Sequence, residues 1–443
     1  MRNFTIFWSG QMASAIGTAM TQFALTIWIW QTTQESTAIA LLSFFFQVPQ
    51  ILITLFAGLI IDRVNRKRLM IVSDAIVALC TIVIALLYAT HYLQVWHLYT
   101  LAMVYGCFEQ LQTLAYSASI SLMVPKQHYA RASSISSLVT YGSAILAPAL
   151  VGLLYPTIGI LGIMAIDVIT FTIGIAAVWI IPIPQPPKTE ISHDRASLWQ
   201  ELSFGLNYIW ARPSLSALTV LFCAFLLTYH MGETLYQPMI LARTDGNTQI
   251  LGAVVTAAGV GGVLGAIGLG FWGGFQRRIH GVLVGFMGAG LGRIFLSVGQ
   301  QYPIWLGSQV FSALNIPLAF GSSYAIWYAK VEPEVQGRVL ASAHMLGLIV
   351  GAIATLIAGP LADRVFEPMM HSGSWLAQGF TPLVGSGSGS GIAVLFLLTA
   401  IGMVAVGVSG YAFPSIRNAE DLLPDYDHHH DQDSNNTVPP SLL

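Results

Sequence analysis

The chain is a succession of long apolar runs separated by short polar turns. A helix needs roughly 20 mostly apolar residues to cross the hydrocarbon core of a bilayer. Such runs cover 4–30, 37–61, 69–90, 96–122, 133–155, 158–181, 213–240, 249–274, 281–299, 302–329, 339–363 and 391–413. They predict an all-α integral membrane protein with twelve transmembrane helices. The last four runs are interrupted by Gly, Pro or Ser, as cavity-lining helices often are. The longest connection, 182–212, opens with Pro182, Pro184, Pro186 and Pro187. Within it Leu198, Leu202, Leu206 and Ile209 recur at a helical period, which predicts an amphipathic helix on the inner surface. The expected plan is a six-helix unit in 1–181, the linker 182–212, a second six-helix unit in 213–413 and a polar cytoplasmic tail in 414–443.

Charge sets the expected orientation. With the N-terminus inside, all but three of the 18 Lys and Arg residues fall in loops on the inner side. The exceptions are Arg243 and Arg364 outside and Arg293 within a span. Cytoplasmic loops of membrane proteins are enriched in basic residues, so both termini are expected in the cytoplasm of a cell whose inner or plasma membrane holds the protein. Met1-Arg2-Asn3-Phe4 runs straight into the first apolar stretch with no small-residue cleavage site, so a retained first span is expected.

Composition narrows the class further. Of 443 residues, 55% are hydrophobic and 9% charged, and mean hydropathy is +0.69. Soluble proteins carry about 25% charged residues, so a water-soluble globule is excluded, and so is a disordered chain. A net charge of -2 gives no basic footprint for nucleic acid. Cys80, Cys107 and Cys223 sit apart in apolar runs, with no pairing or metal-ligand spacing. No Gly-Lys-Ser/Thr, His-Glu-x-x-His or Gly-x-Ser-x-Gly pattern occurs, so no enzyme chemistry, cofactor or metal is expected. Gly385–Gly391 is expected to be a flexible approach to the last span, and His428–His430 part of a disordered polar tail.

The chain repeats itself weakly. Gly58, Asp62, Arg63, Arg66 and Lys67 follow span 2, and Gly270, Gly274, Arg277 and Arg278 follow span 8 in the same register, with Gly274 in place of Asp62. The loops Pro125–Arg131 and Pro333–Arg338 correspond as well. An offset of six spans implies two pseudo-symmetric six-helix bundles related by an axis along the membrane normal. The motif Gly58-x-x-x-Asp62-Arg63-x-x-Arg66-Lys67 resembles the first cytoplasmic-loop motif of the major facilitator superfamily at every key position. Trp8-Ser9-Gly10-Gln11, Ser14, Gly17, Phe23-Ala24-Leu25 and Pro49 resemble its drug:proton antiporter branch, which includes macrolide and siderophore exporters. The resemblance covers about 4–413. Span 5 carries Ser143-x-x-x-Ala147-Pro148-x-x-x-Gly152 near the antiporter motif's place, and span 4 lacks the arginine common in drug antiporters.

The resemblance implies a central cavity lined by spans 4 and 7 and a gate in which Asp62 caps the start of span 11, near Arg338–Ala341. Asp74 is expected to pair with the basic cluster beside Asp62. A charge at the centre of a span costs about 2.5–3.5 kcal/mol or more, so it requires a partner, water or a function. Glu109 shares a helical face with Tyr105, Gln112 and Tyr116, and is a candidate for proton coupling or for meeting a substrate cation. Glu233, with His230 and Gln237 one turn to either side, is the second candidate site. Asp167 and Arg293 are expected to be structural anchors within their own halves. Polar stripes at Gln11, Ser14, Thr18 and Gln22, at Gln47, Gln50 and Thr54, and at Ser308, Ser312, Asn315 and Ser322 read equally as a cavity wall or as interhelical bonding.

These features point to a secondary transporter that exports small amphipathic compounds by proton antiport and alternating access. Its partners are the lipid bilayer, a small-molecule substrate and protons, and it is expected to function as a monomer. A solute importer on the same scaffold is one alternative. A non-transporting receptor or assembly factor, dependent on the tail or on the outer loop 364–390, is the other.

Overall fold

The computed structural model describes residues 2–123, 129–181, 198–372 and 374–422; its side chains are described except at 2–3, 57–63, 121–122, 129–138, 140 and 198–202. The regular elements among the described residues are all helical. They are α1 (Arg2–Thr33), α2 (Ser36–Arg63), α3 (Arg66–Ala89), α4 (Val95–Met123), α5 (Tyr129–Ile180), α6 (Leu198–Trp210), α7 (Pro213–Arg243) and α8 (Thr248–Trp272). After these come α9 (Arg278–Val298), α10 (Tyr302–Leu314), α11 (Ile316–Lys330) and α12 (Pro333–Leu361). A π-helical turn (Ala362–Phe366), α13 (Glu367–His371), α14 (Trp375–Val384), α15 (Ser390–Ala412) and the short α16 (Pro414–Arg417) and α17 (Ala419–Leu422) complete the chain.

Helix ends are set by local chemistry. The Asn65 side chain accepts from Arg68 N at the start of α3. Asn247 does the same for Gln249 and Ile250 at the start of α8. Each satisfies backbone donors that have no partner inside the helix. Gly273, at φ 81°, ends α8. Long α5 is broken at Gly159 (φ 63°, ψ -172°), a conformation that L side chains rarely adopt.

Ten helices among the described residues are long and apolar enough to cross a membrane, not twelve. Two causes account for the difference. Tyr141–Ile180 is continuous by hydrogen bonding and counts once, although Gly159 divides it where two spans were expected. α4 falls outside the set because His97, Glu109, Gln110 and Gln112 dilute its apolar residues. Large side chains such as Leu79, Leu86, Leu153, Ile169 and Phe271 stand exposed on the outside, a surface suited to lipid rather than water.

Neighbouring helices alternate in direction between a terminal face, which carries Arg2 and Arg417, and a far face. On the terminal face Arg66 donates to Ala118 O (2.7 Å) and Lys67 to Trp179 O and Ile181 O (2.7 and 2.8 Å). On the far face Arg243 donates to Ser297 O, Gly299 O and Val384 O. The carbonyls that Lys67 and Arg243 reach lie at helix C-termini, which hold unpaired carbonyls and negative potential.

α1 packs on α5, α2 on α4, and α3 on both α4 and α5. α15 packs on α7 and α9, α10 on α8 and α9, and α12 on α7. Two antiparallel pairs join the sets: α2 with α12, and α5 with α8. At the far end one apolar core draws on both sets, with Met20, Ile27, Ile84 and Ile163 joined to Leu235, Met239, Leu251 and Ala358. Towards the terminal face the cores separate. Phe4, Phe7, Met70 and Val178 form one, and Leu215, Phe225, Phe286, Trp327 and Val339 another.

The glycine-rich loop before the last span differs from expectation. Glu367 accepts from the backbone N–H of Gly389, Gly391 and Ile392, so the glycine-rich approach to the last span is pinned rather than free. The outer loop 364–390 contains two helices. The start of the tail is docked: Glu420 accepts from Ile279 N, Lys330 donates to Glu420 O, and Arg277 pairs with Asp421 at 3.5 Å. The rest of the tail, 423–443, and the prolines of the linker lie outside the described residues. The linker helix, α6, packs on α12 and α7 with Ile209 buried.

Candidate functional site

Between the two helix sets, below the far-face core, lies a cavity of about 390 Å³, within the usual range for small-molecule sites. Its apolar wall includes Phe23, Leu42, Phe46, Ile84, Leu101 and Val255. Thr21, Gln22, Ser43, Gln47, Tyr105, Ser143, Glu233, Tyr236 and Gln237 supply polar groups. Of the residues expected from sequence to face substrate, Gln22, Gln47, Tyr105 and Gln237 line this space.

Among the described residues Glu233 supplies the one carboxylate in that lining. Its Oε2 accepts from Arg293 Nη2 at 2.5 Å. The pair is lopsided: the Arg293 side chain is 4% exposed and that of Glu233 40%. Arg293 also donates to Tyr229 O (2.8 Å) and lies 4.3 Å from the Tyr229 ring centroid, so carbonyl, ring and carboxylate share its charge. The spacing in sequence did not join Arg293 to Glu233, because the two are 60 residues apart on different helices. His230, one turn from Glu233 in the second candidate site, packs its ring against Gly351 of α12 and edge-on to Tyr229.

One to two turns nearer the terminal face, the first half carries a belt of hydrogen-bonded polar side chains. Gln50 donates to Glu109 Oε2 (3.2 Å), Gln110 to Thr54 (2.9 Å), and Gln112 to Gln11 Oε1. Glu109 is half-buried, and its partner is a neutral amide. Behind this belt Asp167 is fully buried and accepts from Thr21 (2.7 Å) and Thr81 (3.1 Å). Thr21 also lines the cavity, so one hydroxyl connects the cavity wall to a buried carboxylate. Asp74 is buried beside Gln11. It lies two helical turns from Lys67, whose ammonium is already on the carbonyls that end α5, so it is not Lys67's partner as expected.

Several stripe residues serve helix seams instead of this cavity. Ser312 donates to Ala289 O (2.9 Å), and Asn315 donates to Phe311 O and presses against Gly288, both on the seam with α9. Ser14 abuts Gly174 on the seam of α1 with α5, and Thr18 is buried beside Tyr105. Small polar residues at helical spacing face either a cavity or a neighbouring helix, and spacing alone does not separate the two. The side chains of Gly58, Asp62 and Arg63 lie outside the described ones. Two acids that the sequence analysis passed over, Asp363 and Glu367, hold helix N-termini on the far face. Their signal was position: a carboxylate at the end of an apolar run needs a donor to offset its cost there.

An all-helical chain with a polar-lined cavity between two packed helix sets matches a known pattern over most of its length. Residues 7–355 match the Major Facilitator Superfamily. The chain belongs to that superfamily. Its members and the relatives below are transporters rather than enzymes, so this is a multi-pass membrane transporter of that type, in a lipid bilayer, with a small-molecule substrate. The chain is 23% identical over 364 residues to Macrolide efflux protein A of Streptococcus pyogenes, covering 82% of this chain and 90% of that protein. It is 22% identical over 379 residues to Multidrug efflux pump Tap of Mycolicibacterium fortuitum, covering 84% and 86%. In fold it is similar to a bacterial homologue of the human lysosomal transporter Spinster, crystallised in an inward-facing and unoccupied conformation. That likeness has a TM-score of 0.64 at 16% identity over 95% of this chain and 96% of the other.

Proposed function

We propose that this chain exports small amphipathic compounds, macrolide-like or other drugs and secondary metabolites, by proton antiport across a bacterial cell membrane. The observation that carries the proposal is the cavity. Its wall is mostly apolar, the amides of Gln22, Gln47 and Gln237 and several hydroxyls give it directional contacts, and the Glu233 carboxylate faces it. That lining suits a molecule with a large apolar body and a basic group. The efflux relatives, a macrolide exporter and a multidrug pump, support export as the direction.

In this account α4 and the two parts of α5 bring the helices to twelve, in two six-helix bundles that rock about the cavity. The basic loops place the terminal face, with both termini, in the cytoplasm. Glu109, whose partner is a neutral amide, takes up and releases the proton. Glu233 meets the substrate cation, which competes with Arg293 for the carboxylate, while His230 and Gln237 flank that exchange. Gly58, Asp62 and Arg63 close the cytoplasmic gate, and Arg66 and Lys67 hold the helices around it. Asp167 anchors the first bundle. Each chain contains a full pathway, so the monomer is the working unit.

The test is uptake of a radiolabelled macrolide into everted membrane vesicles containing the protein. Energised vesicles are expected to accumulate it, and a protonophore is expected to abolish accumulation. Vesicles that accumulate neither macrolides nor lipophilic cations across a broad panel would contradict the proposal.

A further inference from the structure

The α2–α12 pair is antiparallel, so the end of α12 meets the start of α2 on the far face. There the Asp363 carboxylate crosses from the second helix set to the first. Oδ1 accepts from Ser36 N at 3.1 Å, and Oδ2 accepts from Thr37 N and from the Thr37 hydroxyl, both at 2.6 Å. The seam beneath is backbone on backbone: a Cβ built on Gly359 would fall 2.6 Å from Thr37 Cα and 2.8 Å from Ala40 Cβ. Asp363 lies in the π-helical turn that follows Pro360, a proline that removes one donor from the helical ladder. Four residues on, Glu367 caps the start of α15 within its own helix set. The segment is thus fixed on one side by Glu367 and crosses the cavity's roof on the other through Asp363.

We propose that Asp363 is the far-face latch of the transport cycle: its bonds to Ser36 and Thr37 hold the extracellular end shut and must break before the cavity opens outward. The open N-terminus of α2 offers the Asp363 carboxylate two backbone donors and the favourable pole of the helix. The latch therefore couples two helices whose separation is the opening itself. It rests on the alternating-access proposal, and its test separates the two.

Ser43, which lines the cavity near the far end of α2, is replaced by Cys in the full chain, with the parent chain giving the background from its native cysteines. A membrane-impermeant maleimide is applied to right-side-out vesicles for the far face and to everted vesicles for the terminal face. In Asp363→Ala, far-face labelling is expected to rise about fivefold or more, the lower range of conformational coupling, while terminal-face labelling falls. Thr37→Val keeps both N–H donors and loses the hydroxyl, so it is expected to give a smaller rise and guards against misfolding of the first variant. Glu367→Gln is expected to leave far-face labelling unchanged, because its bonds stay within one helix set. Unchanged far-face labelling in Asp363→Ala, or an equal rise in Glu367→Gln, would overturn the latch. Labelling that rises from both faces together in Asp363→Ala would overturn alternating access itself.

Discussion

The two halves of the molecule treat their intramembrane carboxylates differently. In the first half, Asp74 lies beside an amide, Glu109 accepts from an amide, and Asp167 accepts from two threonines. No lysine or arginine occurs in the apolar runs of that half. In the second half, Glu233 faces a guanidinium that is itself almost fully enclosed. A guanidinium adds a Coulombic attraction that a neutral amide or hydroxyl donor lacks, so the halves hold their carboxylates with different strength. A carboxylate held only by neutral donors can gain or lose a proton without displacing a resident cation. A carboxylate in an ion pair can exchange one cation for another. On the proposed antiport, the first half would carry the proton traffic and the second the cation recognition.

The comparison breaks most completely at Glu109. Glu109→Gln is expected to reduce proton-driven macrolide uptake to the level of empty vesicles while the protein still reaches the membrane. Full activity in that variant would remove the first half from coupling. Next is the ion pair. Glu233→Gln strands a guanidinium that is 4% exposed, whereas Arg293→Gln leaves a carboxylate that is 40% exposed to the cavity. Loss of one partner of a buried pair costs about 3–5 kcal/mol, and less where water reaches the survivor. Glu233→Gln is therefore expected to lower Tm in detergent more than Arg293→Gln. The double variant is expected to lose less than the sum of the two, and equal losses would deny the lopsided burial its role.

Smaller effects sharpen the contrast. Thr21→Val removes the shorter of the two bonds to Asp167 and is expected to cost about 1–3 kcal/mol, read as a Tm loss larger than that of Thr81→Val. Ser312→Ala removes a seam bond and is expected to cost about 1 kcal/mol or less with unchanged uptake kinetics. Gln47→Ala, on the cavity wall, is expected to raise the half-saturating substrate concentration instead. If Ser312→Ala shifts that concentration and Gln47→Ala does not, the cavity lining is misassigned.

Much of this was legible in the sequence because bilayer physics leaves few choices. Apolar runs of span length and the one-sided basic loops forced a helical membrane protein, and the Asp62 motif named the superfamily. The count differed where continuity and polarity blur a span, at Gly159 and in α4. The polar candidates were legible and their pairing less so. Glu109, Gln22, Gln47 and Glu233 were visible as polar groups where polarity is costly. That Arg293 meets Glu233, and that Asp363 meets Ser36 and Thr37 over 326 residues of chain, depends on which helices become neighbours, which periodicity does not encode. Ser312 and Asn315 show the same limit from the other side: a correct polar face that turned out to face a helix.

The central claim is that substrate and proton exchange through carboxylates in opposite halves. The most direct test is proton movement in everted vesicles, reported by a pH-sensitive dye under an imposed gradient, as macrolides or lipophilic cations are added. Wild-type protein is expected to release protons on addition of substrate. Glu109→Gln is expected to abolish that release while still binding labelled substrate, and Glu233→Gln to weaken binding. Substrate-driven proton release that survives in Glu109→Gln at the wild-type level would contradict the account.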